Sequence, residues 1–310
     1  MEIIQGIQSF RKKCDGCAVV ALGNFDGVHL GHREIINTTV KTAKKHGAKS
    51  AVLIFSPHPL SVLAPDKAPA LLMTMEDRIH MLGQVGVDYV IVHPFNREFA
   101  GMPPESFATE VLHGKLGVSG VVVGFDYSFG RRGLGNPAEL KLLGERLGFT
   151  VEVVNPVSVH GEPVGSTAVR KLLLEGRVEA AADMLGYPFY LRGEVVHGDG
   201  RGRTLGFPTA NLQVPCEIIR PAHGVYLTKA LLGEERFWAV TNVGKRPTFC
   251  KTEPSVEVHL LDTQKNLYGH ELMVEFIQKI REEKAFSGPE ALRAQIRNDI
   301  DLARTIIAKA

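Results

Sequence analysis

At 310 residues the chain exceeds the size at which one hydrophobic core usually stops growing, so two domains are expected. Hydrophobic residues make up 44% and charged residues 23%, as in an ordinary globular protein, and a net charge of +2 gives no electrostatic case for a nucleic-acid or membrane partner. The opening MEIIQGIQSFRKKCDGC lacks the apolar core of a secretory signal, and no apolar run reaches the ~18 residues of a membrane span, so a cytoplasmic location is the expectation.

The first half alternates short apolar runs with helical patterns. AVVAL (18–22) reads as a buried strand, and HREIINTTVKTAKKHG (32–47) as a helix closed by Gly47. Strands follow at 50–55, 88–95, 118–125 and 150–157, with helices at 75–86, 103–117 and 136–148. Uninterrupted Val/Ile-rich strands alternating with helices predict a parallel sheet covered on both faces. After two short helices at 166–186 the pattern changes. Strand-like runs occupy 191–197, 224–232, 237–243, 255–262 and 271–280, and one helical pattern closes the chain at 287–306. That series predicts a small antiparallel barrel or sandwich with a terminal helix. The boundary falls near residue 186, giving domains 1–186 and 187–310.

Two stretches carry the chemistry. The first is GNFDGVHLGH (23–32), placed directly after a strand and at the start of a helix. Open α/β sheets bind ligands at that edge, and the N–H groups of a helix start favour anions. His29 and His32 are three apart, so both imidazoles can face one bound group. From spacing alone a metal-binding pair or two solvated histidines remain open, and the stretch is neither a Walker A loop nor a GxGxxG fingerprint. The second is VHGDGRGRTLGFPTANL (196–212). Glycines alone would make it a turn-rich loop. Thr209 and Asn211, two apart in an extended segment, point the same way and offer two neutral oxygens suited to Mg²⁺, which takes much of its charge compensation from substrate phosphates. Glu257 by periodicity alone is a solvated strand carboxylate. Cys14-x-x-Cys17 has the spacing of a metal or redox pair but precedes the first strand and has no further ligands nearby, so two ordinary thiols are expected.

The motifs resemble known families. His29-Leu30-Gly31-His32 within Gly23-Asn24-Phe25-Asp26-Gly27 resembles the HxGH signature of the nucleotidyltransferase superfamily, and Gly165-Ser166-Thr167-Ala168-Val169-Arg170 its second signature, with Gly165 in place of the usual first serine. The resemblance implies a Rossmann-like domain in which His29 and His32 act in catalysis, and Gly23, Phe25, Asp26, Gly27, Gly31, Ser166, Thr167 and Arg170 bind ATP. Phe55-Ser56-Pro57-His58-Pro59 and Gly124-Phe125-Asp126-Tyr127-Ser128-Phe129-Gly130 are similar to the elements of the flavin-adenylylating branch, which implies flavin contacts by Phe55, His58, Asp126 and Phe129. From Gly193 to Phe286 the chain resembles the riboflavin kinase module, a six-stranded barrel. That implies Gly198, Gly202, Arg203, Gly206 and Pro208 on ATP, Thr209 and Asn211 on Mg²⁺, and Glu257 as base. The whole resembles the bacterial bifunctional riboflavin kinase/FAD synthetase family. Its implied reactions take riboflavin to FMN and FMN to FAD, each with ATP.

Overall fold

The computed structural model describes residues 1–198, 201–244, 255–263 and 265–309. By contact the chain divides into two units, Met1–Ser166 and Thr167–Ala310.

The first unit contains, in chain order, β1 (Glu2–Gln5), β2 (Ala18–Leu22), α1 (Leu30–His46), β3 (Lys49–Ser56), α2 (Pro59–Leu63), α3 (Met75–Val85), β4 (Tyr89–Pro94), α4 (Arg97–Ala100), α5 (Pro104–Ser106), β5 (Val118–Gly124), α6 (Pro137–Leu147) and β6 (Thr150–Val154). A short hairpin, β7 (Ser158–Val159) and β8 (Glu162–Pro163), follows. The six long strands form one sheet in the order β1-β4-β3-β2-β5-β6 with every pair parallel. All five residues of β2 are buried, as required of a central strand covered on both faces. The core around it joins Val20, Leu22, Leu53, Ile91, Val121 and Val123.

Helix ends follow local chemistry. The α1 helix starts on a side-chain cap from His29 and ends on Gly47 at φ 62°, while Thr74 and Asn136 cap α3 and α6 through their oxygens. Two features differ from expectation. EIIQ at the N-terminus, too short to stand out by pattern, forms the edge strand β1 on β4. The helix expected over 103–117 is one turn of α5 followed by a wider, π-type helix over Phe107–Leu116. Its buried residues, Phe107, Ala108, Val111, Leu112 and Leu116, recur every four to five positions and so match the wider turn.

From β2 the chain moves outward through β3 and β4, then returns across the sheet to β5. The strand order therefore reverses at β2 and β5. In a parallel sheet this reversal leaves a crevice at the carboxyl ends of the two strands, flanked by the loops at 23–29 and 125–136.

The second unit contains α7 (Ser166–Leu174, its first residue counted with the first unit), α8 (Val178–Leu185), β9 (Tyr190–Val196), α9 (Arg201–Thr204), β10 (Ala210–Gln213), β11 (Gly224–Leu232), β12 (Glu235–Gly244), β13 (Ser255–Leu260), β14 (Glu271–Arg281) and α10 (Pro289–Ile307). The six strands close into a barrel, β10-β13-β12-β11-β14-β9, antiparallel throughout. Closure removes the sheet edges that would otherwise be left unpaired. On the outside, α10 lays Ile296, Ile300 and Ala303 over Val225, Leu227 and Val240. By contact the α7–α8 pair goes with the barrel: Ala222 donates its N–H to the Leu173 carbonyl at 2.9 Å. The contact division thus lies about twenty residues before the boundary expected from composition at 186.

Candidate active sites

The loop after β2 contains two residues in left-handed backbone angles and is braced by a buried charge pair. Phe25 and Val28 adopt left-handed backbone angles, φ 51° and 34°, which cost of order 1–3 kcal/mol each and persist only where their surroundings dictate them. The brace is Asp26. Its carboxylate accepts the Leu72 N–H at 3.1 Å and pairs with Arg78 at 3.2 Å, both side chains being almost fully buried. Arg78 also donates to the Asn24 carbonyl at 3.1 Å. Asp26 thus reaches inward to fix the loop, and its backbone carbonyl accepts the Ser166 hydroxyl at 2.8 Å, which fastens the first residue of α7 to the same loop. Thr167 and Arg170 follow on α7.

His29, buried, caps α1: its Nδ1 accepts the His32 N–H at 3.2 Å. That bond fixes the neutral ring as the tautomer with its proton on Nε2. The two imidazoles stack at 3.5 Å between centroids, 17° apart, and Phe25 meets His32 edge-on at 5.2 Å. Gly23 and Gly31 leave room for these rings; a Cβ on Gly31 would lie 3.3 Å from the His29 ring and one on Gly23 would lie 3.0 Å from Phe25. Gly27, at φ 87°, makes the turn between Asp26 and Val28.

Two further loops stand on the same sheet edge. His58 caps α2 with Nδ1 accepting the Leu60 N–H at 3.2 Å, and its Nε2 faces the Asn24 carboxamide at 3.4 Å. The loops after β2 and β3 therefore meet. Phe55, in register with His93, sits in an aromatic group with Phe95 and Phe99 at 5.3 and 5.4 Å. His93 itself is buried against Phe99 at 4.8 Å, and burial, with a smaller effect of Lys115, holds its pKa below the ordinary value. After β5, Asp126 is exposed beside an exposed Phe125. Phe129 is placed differently: it is buried in the core, tilted on Phe107 at 5.6 Å and stacked on Tyr127 at 5.8 Å. Burial also pushes the Tyr127 phenol far above its usual pKa.

In the barrel, the predicted kinase residues converge. Asn211 on β10 stands in register with Glu257 on β13, and both are half-buried. A Cβ on Gly198 would collide with the Asn211 carboxamide, and one on Gly202 would lie 3.0 Å from the Thr209 hydroxyl. The glycine loop thus packs its backbone directly on the two oxygen donors. Gly206 turns at φ 87°. The carbonyl of Pro208 accepts the His259 Nδ1–H at 2.8 Å, and Phe207 meets His259 edge-on at 5.8 Å. Beside them a cavity of about 340 Å³ opens between Gly206, Phe207 and His259 on one side and Arg297, Asp301 and Arg304 of α10 on the other. Arg203 lies on α9, and its side chain is outside the described structure, as are Lys245–Phe249 of the NVGKRPTF stretch.

Reasoning from the sequence did not single out Arg78, His93 or His259. Arg78 had a signal: it falls at an apolar position of α3, on the face that buries Met81 and Leu82. A charge there needs a partner. His93 had none beyond its strand, and His259 stood within the stretch that resembles the riboflavin kinase module without a role of its own. Cys14 is buried and Cys17 exposed, both as free thiols, and among the described residues no group of three or more His, Cys, Asp or Glu is placed to hold a metal.

Comparison with known proteins follows this division. A family model described as FAD synthetase matches residues 11–168, and one described as riboflavin kinase matches 185–307. Over 305 residues the chain is 38% identical to the bifunctional riboflavin kinase/FMN adenylyltransferase of Escherichia coli K12, covering 98% of this chain and 97% of that protein. It is 39% identical over 287 residues to the protein of the same name from Bacillus subtilis 168, covering 91% and 90%. A crystal structure described as a macrolide-efflux protein from Streptococcus pneumoniae superposes with a TM-score of 0.87 at 31% identity, covering 98% of this chain and 99% of that one. Among the described residues of this chain, no helix is long and apolar enough to cross a membrane.

Proposed function

The chain belongs to the bifunctional riboflavin kinase/FMN adenylyltransferase family, and from that premise we infer how its residues divide the work. The protein is a transferase that phosphorylates riboflavin with ATP to give FMN, then adenylylates FMN with a second ATP to give FAD and pyrophosphate. We assign the adenylyltransferase to 1–186, so that α7 with Ser166, Thr167 and Arg170 serves it, and the kinase to 187–310. A cytoplasmic location, where ATP is the common phosphoryl donor, belongs to the same proposal.

In the adenylyl transfer, the attacking FMN phosphate is already ionised, so no protein base is needed. Catalysis is alignment plus neutralisation of the charge that builds on the α-phosphate. The His29 Nε2–H, the His32 ring stacked on it and the N–H groups at the start of α1 supply fixed donors at low reorganisation cost. Gly23, Phe25, Gly27 and Gly31 shape the cradle, and Asp26 acts from within by holding its strained turn. Ser166 bonds that turn through its hydroxyl, and the resemblance assigns Thr167 and Arg170 to the ATP phosphates. Phe55, His58 and Asp126 face the flavin, with Phe129 as the buried support of the loop that presents Asp126.

In the kinase, a primary alcohol needs a carboxylate to take its proton as the γ-phosphoryl arrives. Glu257 is that base. Gly198, Gly202, Arg203, Gly206 and Pro208 carry the nucleotide. The donor set fits Mg²⁺: Thr209 and Asn211 offer two neutral oxygens beneath a closely packed glycine backbone, a sparse set suited to an ion that takes much of its charge compensation from substrate phosphates. When bound, the ion supplies charge neutralisation for the transferring phosphoryl.

The observation that carries this reading is the convergence of Gly198, Gly202, Thr209, Asn211 and Glu257 on one patch of the barrel. The test is direct. Purified protein is incubated with riboflavin, ATP and Mg²⁺, and the flavins are separated over time. FMN appearing first and FAD after it is expected. FMN without FAD would overturn the adenylyltransferase assignment, and neither product would overturn both.

A further inference from the structure

Glu257 has a second amide neighbour. On β12, Asn242 stands in register with Glu257, opposite the side on which Asn211 stands. The three residues are half-buried, whereas Ala210, Leu212, Thr241, Val243, Val256 and Val258, which alternate with them, are buried. Residues directly opposite on antiparallel strands share a face with Cβ atoms about 4.5–5.5 Å apart. One carboxylate therefore lies between two carboxamides on the outer face of the barrel. Asn211 is taken up by the metal in the reading above. Asn242 has no role there.

The next residue on that face of β12 says which end of the Asn242 amide is constrained. A Cβ on Gly244 would lie 3.0 Å from the Asn242 Nδ2 and 2.8 Å from the Glu283 Oε1. The amide nitrogen and a second carboxylate thus converge over a residue whose missing side chain makes the space. Glu283 is itself held by His223, at 3.4 Å. A carboxamide nitrogen carries two N–H groups. Glu257, the register partner of Asn242, is the carboxylate beside that amide across the strand pair.

We propose that Asn242 is a positioning residue of the kinase, whose N–H holds the Glu257 carboxylate in the rotamer that meets the 5′-hydroxyl of riboflavin. The inference rests on Glu257 being the base. A glutamate has three side-chain torsions, and a base must sit within hydrogen-bond reach of the proton it takes. A donor on the neighbouring strand restricts that freedom without touching the substrate. Its loss acts on turnover and leaves substrate binding alone, because the binding surface is unchanged.

Steady-state FMN formation by Asn242→Ala measures this, with FAD formation from supplied FMN as the control for an intact protein. The expected result is kcat lower by about 10- to 100-fold, the order produced by a misplacement near 1 Å, with KM for riboflavin within about twofold and FAD formation unchanged. Asn242→Asp keeps the shape and removes the donor, so its kcat should fall at least as far; it carries the test if the alanine variant does not fold. Unchanged kcat in the folded variant, or a raised KM with unchanged kcat, overturns the proposal. Glu257→Ala, run in parallel, separates the two levels: full kinase activity in that variant removes the premise, whereas its loss beside an unaffected Asn242 variant removes only the positioning role.

Discussion

The two units build their sites in opposite ways. In the parallel sheet, ten consecutive residues, 23–32, supply the turn, the cap and both imidazoles, and the sheet's contribution is to place them where its strand order reverses. In the barrel, Asn211, Glu257 and Asn242 come from three strands separated by up to 46 positions and meet only through register. A contiguous site is specified by local geometry, including the two non-glycine residues forced into left-handed angles. A register site is specified by closure: a slip of one residue on β13 would turn Glu257 into the barrel and a valine outward.

The largest effect tests that separation. Glu257→Ala should lower FMN formation by about 10²–10⁴-fold, the usual contribution of a general base, while FAD formation from supplied FMN continues; loss of both activities would break the division into two sites. His32→Ala probes the other side. Adenylylation should slow by about 10²–10³-fold, as for a lost transition-state donor, with FMN formation spared, and an unchanged FAD rate would remove His32 from the catalytic set.

Breaking the buried brace separates the units by stability instead of rate. Asp26→Ala leaves the guanidinium of Arg78, 1% exposed, without its carboxylate, at a cost of about 3–5 kcal/mol. Thermal inactivation of FAD formation should then move to lower temperature while that of FMN formation holds. Equal shifts in both would mean that the loop's brace stabilises more than its own unit.

A smaller, pH-dependent effect belongs to the sheet edge away from the site. For Asp88, burial alone would raise the pKa, but hydrogen bonds from the Ser50 N–H and hydroxyl, with Lys49 beside them, outweigh it and hold the carboxyl below the ordinary value. A depressed carboxylate stabilises the fold above its unfolded pKa, and that contribution disappears as pH falls through the lowered folded pKa. The group is partly exposed, so the effect is a fraction of a kcal/mol. The melting-temperature gap between the parent and Asp88→Asn, present at pH 7, should close as pH falls below the ordinary carboxylate range and through the lowered pKa of Asp88; a gap that persists in strong acid would place the loss in packing.

Much of this was legible before any fold. The strands of the first half showed because both faces of a parallel sheet are buried and the apolar runs are unbroken, and the helix end at Gly47 is local chemistry. The HxGH and PTAN stretches were legible through their resemblance to known families; spacing alone left a metal-binding pair or solvated histidines open for the first. What the pattern missed has a common cause. β1 and β10 are four residues each and are stabilised by their partners, not by their own composition. Phe129 looked like Phe125 in sequence; packing against Phe107 and Tyr127 alone decided which ring entered the core.

By itself the sequence determined two domain types, their order and the chemistry each motif could perform, since backbone turns, helix starts and ligand types act over a few residues. Only the tertiary structure decided that Asp26 faces Arg78 and that Asn242 flanks Glu257. Both depend on contacts between distant segments, and no local periodicity encodes those.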